Sequence, residues 1–356
     1  MSDVDQITQT EEDDDVQEKR EEMPKHLLKD KHTKFFKQML NLLPQAYQSH
    51  DSSRLTLLYF SLSALDLIGA IDDINDKRKG ELVAWIYSLQ IKPDDKHGYS
   101  RCGFYATDSL PESVDANYGH IAMTYVALCS LIILGDDLSG IDRDAIVQGL
   151  KTLQLDSGSY QCISFGTESD ARFVYCAACI SYFLNDWRGM DVEKAANFLF
   201  SIQSYEGGFA QNLGRESHGG STFCALAALQ LMGKLEDMSE ENRSRLIYWC
   251  LNRQQSGFNG RPNKPVDTCY SFWLGASLTL LGVQEFINKE CNFSFLMTTQ
   301  DRYMGGFSKW PGYLPDPLHS YFGIAGMFVI SGEVEVHPAL NISMRAYRNW
   351  QSLCTS

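Results

Sequence analysis

Gln203-Ser-Tyr-Glu-Gly207-Gly208-Phe209 and Gln300-Asp-Arg-Tyr-Met-Gly305-Gly306-Phe307 spell one unit twice: a glutamine, a glycine turn and an aromatic residue. Gln254-Gln-Ser-Gly257-Phe258 is a shorter copy, and Gln154…Gly158-Ser-Tyr160 and Gln90…Gly98-Tyr99 are weaker ones. The glutamines stand 64, 49, 51 and 46 residues apart. Each closes a helical stretch; a polar loop and a second segment rich in small and aromatic residues follow. These second segments begin near His120, Ala171, Ser221, Cys269 and Ser320, and Gly135, Gly233 and Gly282 end three of them as helix C-caps. A period of about 50 residues with two helices per unit marks a helical repeat protein. An open array needs polar capping repeats, yet the terminal units here are as apolar as the central ones. Closing the array on itself removes that need. The expected fold is therefore all-α: an α/α barrel, or toroid, of repeated helical hairpins around a central apolar cavity, with loops at one end converging on it.

Composition narrows what such a barrel can do. The 356 residues are 44% hydrophobic and 12% aromatic, enough for a sizeable core, and the formal charge of −14 argues against a nucleic-acid partner. Much of that charge is local, because residues 1–22 hold ten acidic side chains against Lys19 and Arg20. Residues 1–24 read as an acidic disordered tail, 25–340 as the barrel domain and 341–356 as a C-terminal segment. The acidic leader is the opposite of a signal peptide, and Ile121–Leu134 is too short to span a bilayer, so no transmembrane segment is expected. Ten cysteines scattered through apolar segments suit reduced thiols in the cytoplasm. Cys176-Ala-Ala-Cys179 imitates a redox pair but lies within an apolar helical pattern, where buried core thiols are the simpler reading.

Asp267-Thr-Cys269 and His319 offer an oxygen, a sulfur and a nitrogen ligand. Three protein ligands with a vacancy suit a catalytic Zn²⁺, whereas structural zinc normally closes its shell with four. Taken singly, Asp267 could be an N-cap, Cys269 a core residue and His319 a surface one. That account does not explain why all three fall where loops run into adjacent inner helices. Around them gather Arg261, Lys264, Tyr270, Lys309 and, one repeat earlier, His218. Arg, Lys, His and Tyr supply the donors a diphosphate needs. Beside an aromatic cavity, which tolerates a developing allylic cation, the set points to attack by a thiolate on a lipid diphosphate.

The chain resembles the β subunits of protein prenyltransferases from about Lys34 to Gly332. Four stretches carry the likeness: Asp170-Ala-Arg172-Phe-Val-Tyr175-Cys-Ala; His218-Gly-Gly-Ser-Thr-Phe-Cys-Ala; Gly260-Arg261-Pro-Asn-Lys264-Pro-Val-Asp267-Thr-Cys269-Tyr270-Ser-Phe-Trp; and Gly305-Gly306-Phe307…His319. The resemblance implies an α/α barrel, one zinc ion on Asp267, Cys269 and His319, and an obligate helical α subunit. It also implies that His218, Arg261, Lys264 and Tyr270 hold diphosphate, and that Arg172 and Tyr175 line the lipid and peptide site. Two positions separate the subfamilies. Lys309 stands where the farnesyl and Rab enzymes carry an aspartate that helps hold Mg²⁺, which implies that Mg²⁺ is not required. Thr56 stands where the farnesyl enzyme has a tryptophan closing the lipid cavity, which leaves room for a fourth isoprene. Both resemble the type I geranylgeranyl branch, whose shared α subunit, geranylgeranyl diphosphate and CaaX proteins ending in Leu (small GTPases of the Rho, Rac and Rap type) are the implied partners. The farnesyl and Rab branches stay as alternatives.

Two readings from other classes remain at this stage. Asp72-Asp73-Ile-Asn-Asp76 spells the D-D-x-x-D motif of terpene synthases, but it follows Gly69 in a loop-like stretch with no second acidic motif, and reads as a solvated acidic turn. A non-catalytic helical scaffold would have little reason to keep every ligand and donor type. The chain ends Leu353-Cys354-Thr-Ser, so it carries no CaaX box of its own.

Overall fold

The computed structural model describes residues 25–108, 118–166, 168–332 and 335–355. The acidic leader lies outside them. Six helical hairpins form two concentric rings. The outer helices are α1 (Lys29–Asn41), α3 (Asp76–Ser88), α5 (Arg143–Leu153), α7 (Val192–Ser201), α9 (Glu240–Leu251) and α11 (Lys289–Thr299). The inner ones are α2 (Arg54–Leu67), α4 (Ile121–Leu134), α6 (Ala171–Leu184), α8 (Gly219–Leu231), α10 (Tyr270–Leu280) and α12 (Pro317–Ser331). Each inner helix packs on the next, and α12 packs back on α2, so the ring is closed.

Sequence pattern separates the rings. Inner helices are apolar on nearly every side because they are buried on every side; α4 leaves only Ala122 and Leu134 outside its buried set. An outer helix such as α5 buries Ala145, Ile146, Val147, Leu150 and Leu153 and turns Lys151 outward.

The repeated glutamine is a clasp between neighbouring hairpins. Gln90, Gln154 and Gln254 each accept from the backbone N–H and donate to the C=O of one residue, Asp142, Asp191 and Asn288 respectively. Those three residues N-cap the next outer helix. Gln300 accepts from the Leu28 N–H at 2.8 Å and donates to the His26 carbonyl, which joins the last repeat to the first. His32 completes that seam, with its Nε2 2.8 Å from Gln300 Oε1 while its Nδ1 accepts from the Gly306 N–H. The glycine of the turn is a contact requirement. Gly207 has φ +107°, and a Cβ there would come within 2.6 Å of the Arg245 carbonyl on the next outer helix.

The aromatic of the first repeat differs from the sequence expectation. Tyr99 is 41% exposed, whereas Phe104 is fully buried and pairs with Gln90 as Phe209 pairs with Gln203. The Phe104 N–H donates to Thr124 Oγ1 on the following inner helix, as Phe209 does to Thr222 and Phe307 to Ser320. A longer turn separates glutamine from aromatic in this unit, and Tyr99 lies in the extra residues.

Within the inner ring the aromatics form a circuit. Tyr59, Tyr125, Tyr175, Phe223, Trp273, Phe322 and Phe60 follow one another with ring centroids 4.2–6.1 Å apart, returning to Tyr59. At the C-terminal ends of the inner helices the barrel is closed by residues 336–355. The hydroxyls of Tyr175, Tyr125 and Tyr321 donate to the carbonyls of Ala339, Leu340 and Asn341 at 3.0, 3.2 and 2.7 Å. Helix α13 (Met344–Thr355) anchors the closure, with Arg345 on Asp66 and on the Ile133 carbonyl. The D-D-x-x-D stretch is a short surface turn in which Asp72 meets Lys79 and Asp73 meets Lys37.

Candidate metal centre and anion site

The N-terminal ends of α10 and α12 bring the expected ligands together. The donor atoms of Asp267, Cys269 and His319 all lie within 4.8 Å of one another. Asp267 and Cys269 enter α10 from the preceding loop, Cys269 at the N-cap position, with the Cys269 N–H donating to Asp267 Oδ1 at 3.0 Å. His319 sits in the first turn of α12, whose N-cap is Asp316 with Pro317 directly after it. Asp316 accepts twice from His319, from its backbone N–H at 2.9 Å and from its ring Nδ1 at 2.7 Å. That leaves His319 Nε2 facing Asp267 Oδ1 at 3.3 Å.

This donor set fits zinc. Tetrahedral bonds of 2.0–2.3 Å put ligand atoms roughly 3.4 Å apart, which the Asp267–His319 pair already meets. A carboxylate on the far ring nitrogen is the usual support of a ligating histidine. Asp316 was not singled out from sequence, although Asp-Pro three residues before a helical His is an N-cap signature that identifies it. Burial pushes the Asp267 carboxyl up, but bonds to His319 and Cys269 outweigh it and hold it below the usual range. Burial likewise opposes charge on His319, yet Asp267 and Asp316 raise it to about 9. Burial drives the Cys269 thiol well above its usual value, with the Asp267 charge adding to it. The two carboxylates, Asp267 and Asp316, favour positive charge between them, as a cation site requires.

The expected anion donors fall around this centre, and they are not equally placed. His218, the N-cap of α8, accepts from the Gly220 N–H through Nδ1 at 3.1 Å. Its Nε2 then carries the proton and donates to the Tyr270 hydroxyl at 2.9 Å, so the Tyr270 O–H hydrogen is free to point elsewhere. Burial and then Arg261 lower the His218 pKa, in keeping with a neutral ring. Lys309 lies 4.4 Å above the Trp310 ring and 3.7 Å from Asp267 Oδ2. Arg261 is paired with Glu216, and Lys264 is exposed on the same loop. A cleft of about 650 Å³ opens beside Arg261 and His218, with Glu168, Asp170 and Glu216 on its walls. Arg172, at the head of α6, is held by Asp170 and Glu168, and Tyr175 is part of the aromatic circuit. Thr56 is half-buried in the first turn of α2, its hydroxyl 3.6 Å from the Met123 sulfur. Cys176 and Cys179 are buried, and burial raises both thiols.

A sequence model of the prenyltransferase alpha-alpha toroid domain matches residues 27–342. The chain belongs to the prenyltransferase α/α-toroid family. This prenyltransferase is 44% identical over 314 residues to the geranylgeranyl transferase type-1 subunit beta of Arabidopsis thaliana, covering 83% of either chain. It is 36% identical over 337 residues to the protein of the same name from Dictyostelium discoideum, covering 89% of this chain and 95% of that one. Its backbone superimposes on a solved structure of Candida albicans protein geranylgeranyltransferase-I complexed with GGPP, with a TM-score of 0.82 at 27% identity, over 92% of this chain and 99% of that chain. It is thus an enzyme, similar throughout to type-1 geranylgeranyl transferase β subunits. Among the described residues no helix of this prenyltransferase is long and apolar enough to cross a membrane.

Proposed function

We propose that this chain is the catalytic β subunit of a zinc-dependent, cytoplasmic protein prenyltransferase that moves a geranylgeranyl group from its diphosphate to the cysteine of a C-terminal CaaX motif ending in Leu. The observation that carries the reading is the meeting of Asp267, Cys269 and His319 within 4.8 Å at the end of a barrel lined with a closed aromatic circuit. In this reading those three residues hold Zn²⁺. When bound, the ion would supply the positive charge that keeps a substrate thiol as its reactive thiolate near neutral pH.

The chain's own residues do the rest. The aromatic circuit receives the lipid and presents ring faces to a carbon that gains positive charge as its C–O bond breaks and the C–S bond forms. Diphosphate leaves toward Arg261, Lys264, Lys309 and the Tyr270 hydroxyl, whose hydrogen His218 frees by donating to its oxygen. The Lys309 ammonium takes the place of a second cation, so Mg²⁺ is dispensable. Arg172 and Tyr175 line the lipid and peptide site. Thr56 leaves room for the fourth isoprene, five carbons at about 0.8 kcal/mol per buried methylene, which favours C20 over C15 by several kcal/mol when the fit is good. An α subunit completes the enzyme, and CaaX proteins of the small GTPase kind are its substrates.

Co-expression with a candidate α subunit, followed by assays with C15 and C20 diphosphates against peptides ending in Leu and in Ser, tests this directly. Preference for C20 and Leu, with one zinc per heterodimer by elemental analysis, is the expected result. Full turnover in a metal-free preparation sinks the mechanism, and a C15 or Ser preference sinks the branch assignment.

A further inference from the structure

Three cations near the metal centre have carboxylate partners, and the three pairings differ. Asp170, which meets Arg172, is buried and also caps α6 and accepts from Gln211, so it is committed to the fold. Asp267, which faces Lys309, belongs to the ligand set. Glu168, equally exposed, shares Arg172 with Asp170, so among these pairings Glu216 is the exposed carboxylate that holds its cation unaided. Its side chain is 56% exposed, its carboxylate pairs with the Arg261 guanidinium, and it stands two residues before His218 on the loop that forms one wall of the cleft of about 650 Å³. Glu216 and Arg261 also push His218 in opposite directions, so both charges are felt where the neutral ring must sit.

We infer that Glu216 is a built-in competitor for the diphosphate: it holds Arg261 while the site is empty, yields it to the arriving lipid diphosphate, and recaptures it as inorganic diphosphate departs. The inference rests on the diphosphate role given to Arg261 above. An exposed carboxylate suits such an exchange. Its pair with arginine is weak enough to break for a multiply charged ligand, yet it stays within reach to re-form. The guanidinium is pre-set for a planar oxyanion pair, so one acceptor replaces another without the arginine being moved far. Glu216 in this account is a positioning residue and does not touch the reacting atoms.

The test is binding of inorganic diphosphate, by calorimetry, to the heterodimer carrying wild-type chain, Glu216→Gln or Glu168→Gln. Glu216→Gln is isosteric and exposed, so it leaves the fold intact. It should tighten diphosphate binding by about two- to fivefold, the range set by losing one exposed ion pair. Product inhibition should strengthen by the same factor. Glu168→Gln removes a carboxylate from the same cleft that is paired with Arg172 instead, and should change the affinity much less. A merely structural role for Glu216 predicts weaker binding on substitution, and that result, or no change, overturns the inference. Equal tightening by both variants also overturns it, because the effect would then be a general field. Failure of the wild-type enzyme to bind diphosphate at all would refute the anion site itself, and the inference with it.

Discussion

The two ends of this barrel are made from the same six inner helices and behave in opposite ways. At their N-terminal ends, side chains that cap or open helices (Arg172, His218, Cys269, His319) keep polar atoms turned to the mouth. From their C-terminal ends the closing segment reaches into the barrel, where three consecutive backbone carbonyls accept from tyrosine hydroxyls in the second turns of α4, α6 and α12, and Asp66 and Arg345 lock it in place. Helix N-termini offer unpaired N–H groups and a positive potential, so carboxylates, a thiolate ligand and an incoming diphosphate are well placed there. The far end has no such use, and filling it creates a floor. One end should therefore govern chemistry and the other stability.

Removing a ligand is the strongest way to break that division. Cys269→Ala should abolish zinc content and lower turnover by on the order of a thousandfold or more, while the circular dichroism spectrum and melting temperature stay near wild type. A large loss of stability with zinc retained would mean that the mouth is structural as well. The reciprocal change is Arg345→Ala, which leaves the Asp66 carboxylate, fully buried at its side chain, with only Ser343 as partner. It should cost about 3–5 kcal/mol in denaturant unfolding with zinc content unchanged.

Acid tests the seam where the ring closes. Burial lowers His32 to about 4 despite its bond to Gln300, and its Nδ1 must stay unprotonated to accept from Gly306. The folded pKa lies below the unfolded value of 6.5, so the unfolded chain takes up the proton first. The contribution is complete above pH ~6.5 and fades as pH falls toward 4, by on the order of 3 kcal/mol. His32→Gln should flatten that part of a stability–pH curve. At the mouth, Lys309→Asp should make turnover depend on Mg²⁺, with roughly tenfold stimulation by the ion; rates indifferent to Mg²⁺ would remove Lys309 from its role. The smallest effect belongs to the floor. Tyr125→Phe keeps the ring in the circuit, deletes one donor to Leu340 and should cost about 1 kcal/mol of stability in denaturant unfolding.

Much of the architecture was legible because a repeat declares itself. The Gln–Gly–aromatic unit marked the turn of five of the six hairpins, whose inner helices α4, α6, α8, α10 and α12 begin within three residues of the expected positions; the first hairpin, α1 and α2, lacks the unit and gave no such signal. The Gln90 unit misled because its turn is longer, so the aromatic nearest in sequence was not the one that packs. In the candidate site, Asp267, Cys269 and His319 stood out as a ligand set because their chemistry is rare and their register equivalent. Asp316 and Glu216 escaped notice since single carboxylates on loops carry no signal until their partners are known.

The amino-acid pattern alone determined the repeat, the closed helical class and the three ligand types, because periodicity and donor chemistry are properties of the chain. Only the tertiary structure decided that α12 meets α2, that His32 seals that seam, and which carboxylate faces which cation. It also made residues 339–341 a floor shared by hydroxyls from separate helices. Those outcomes depend on distances between residues up to 282 positions apart, and no local preference encodes them.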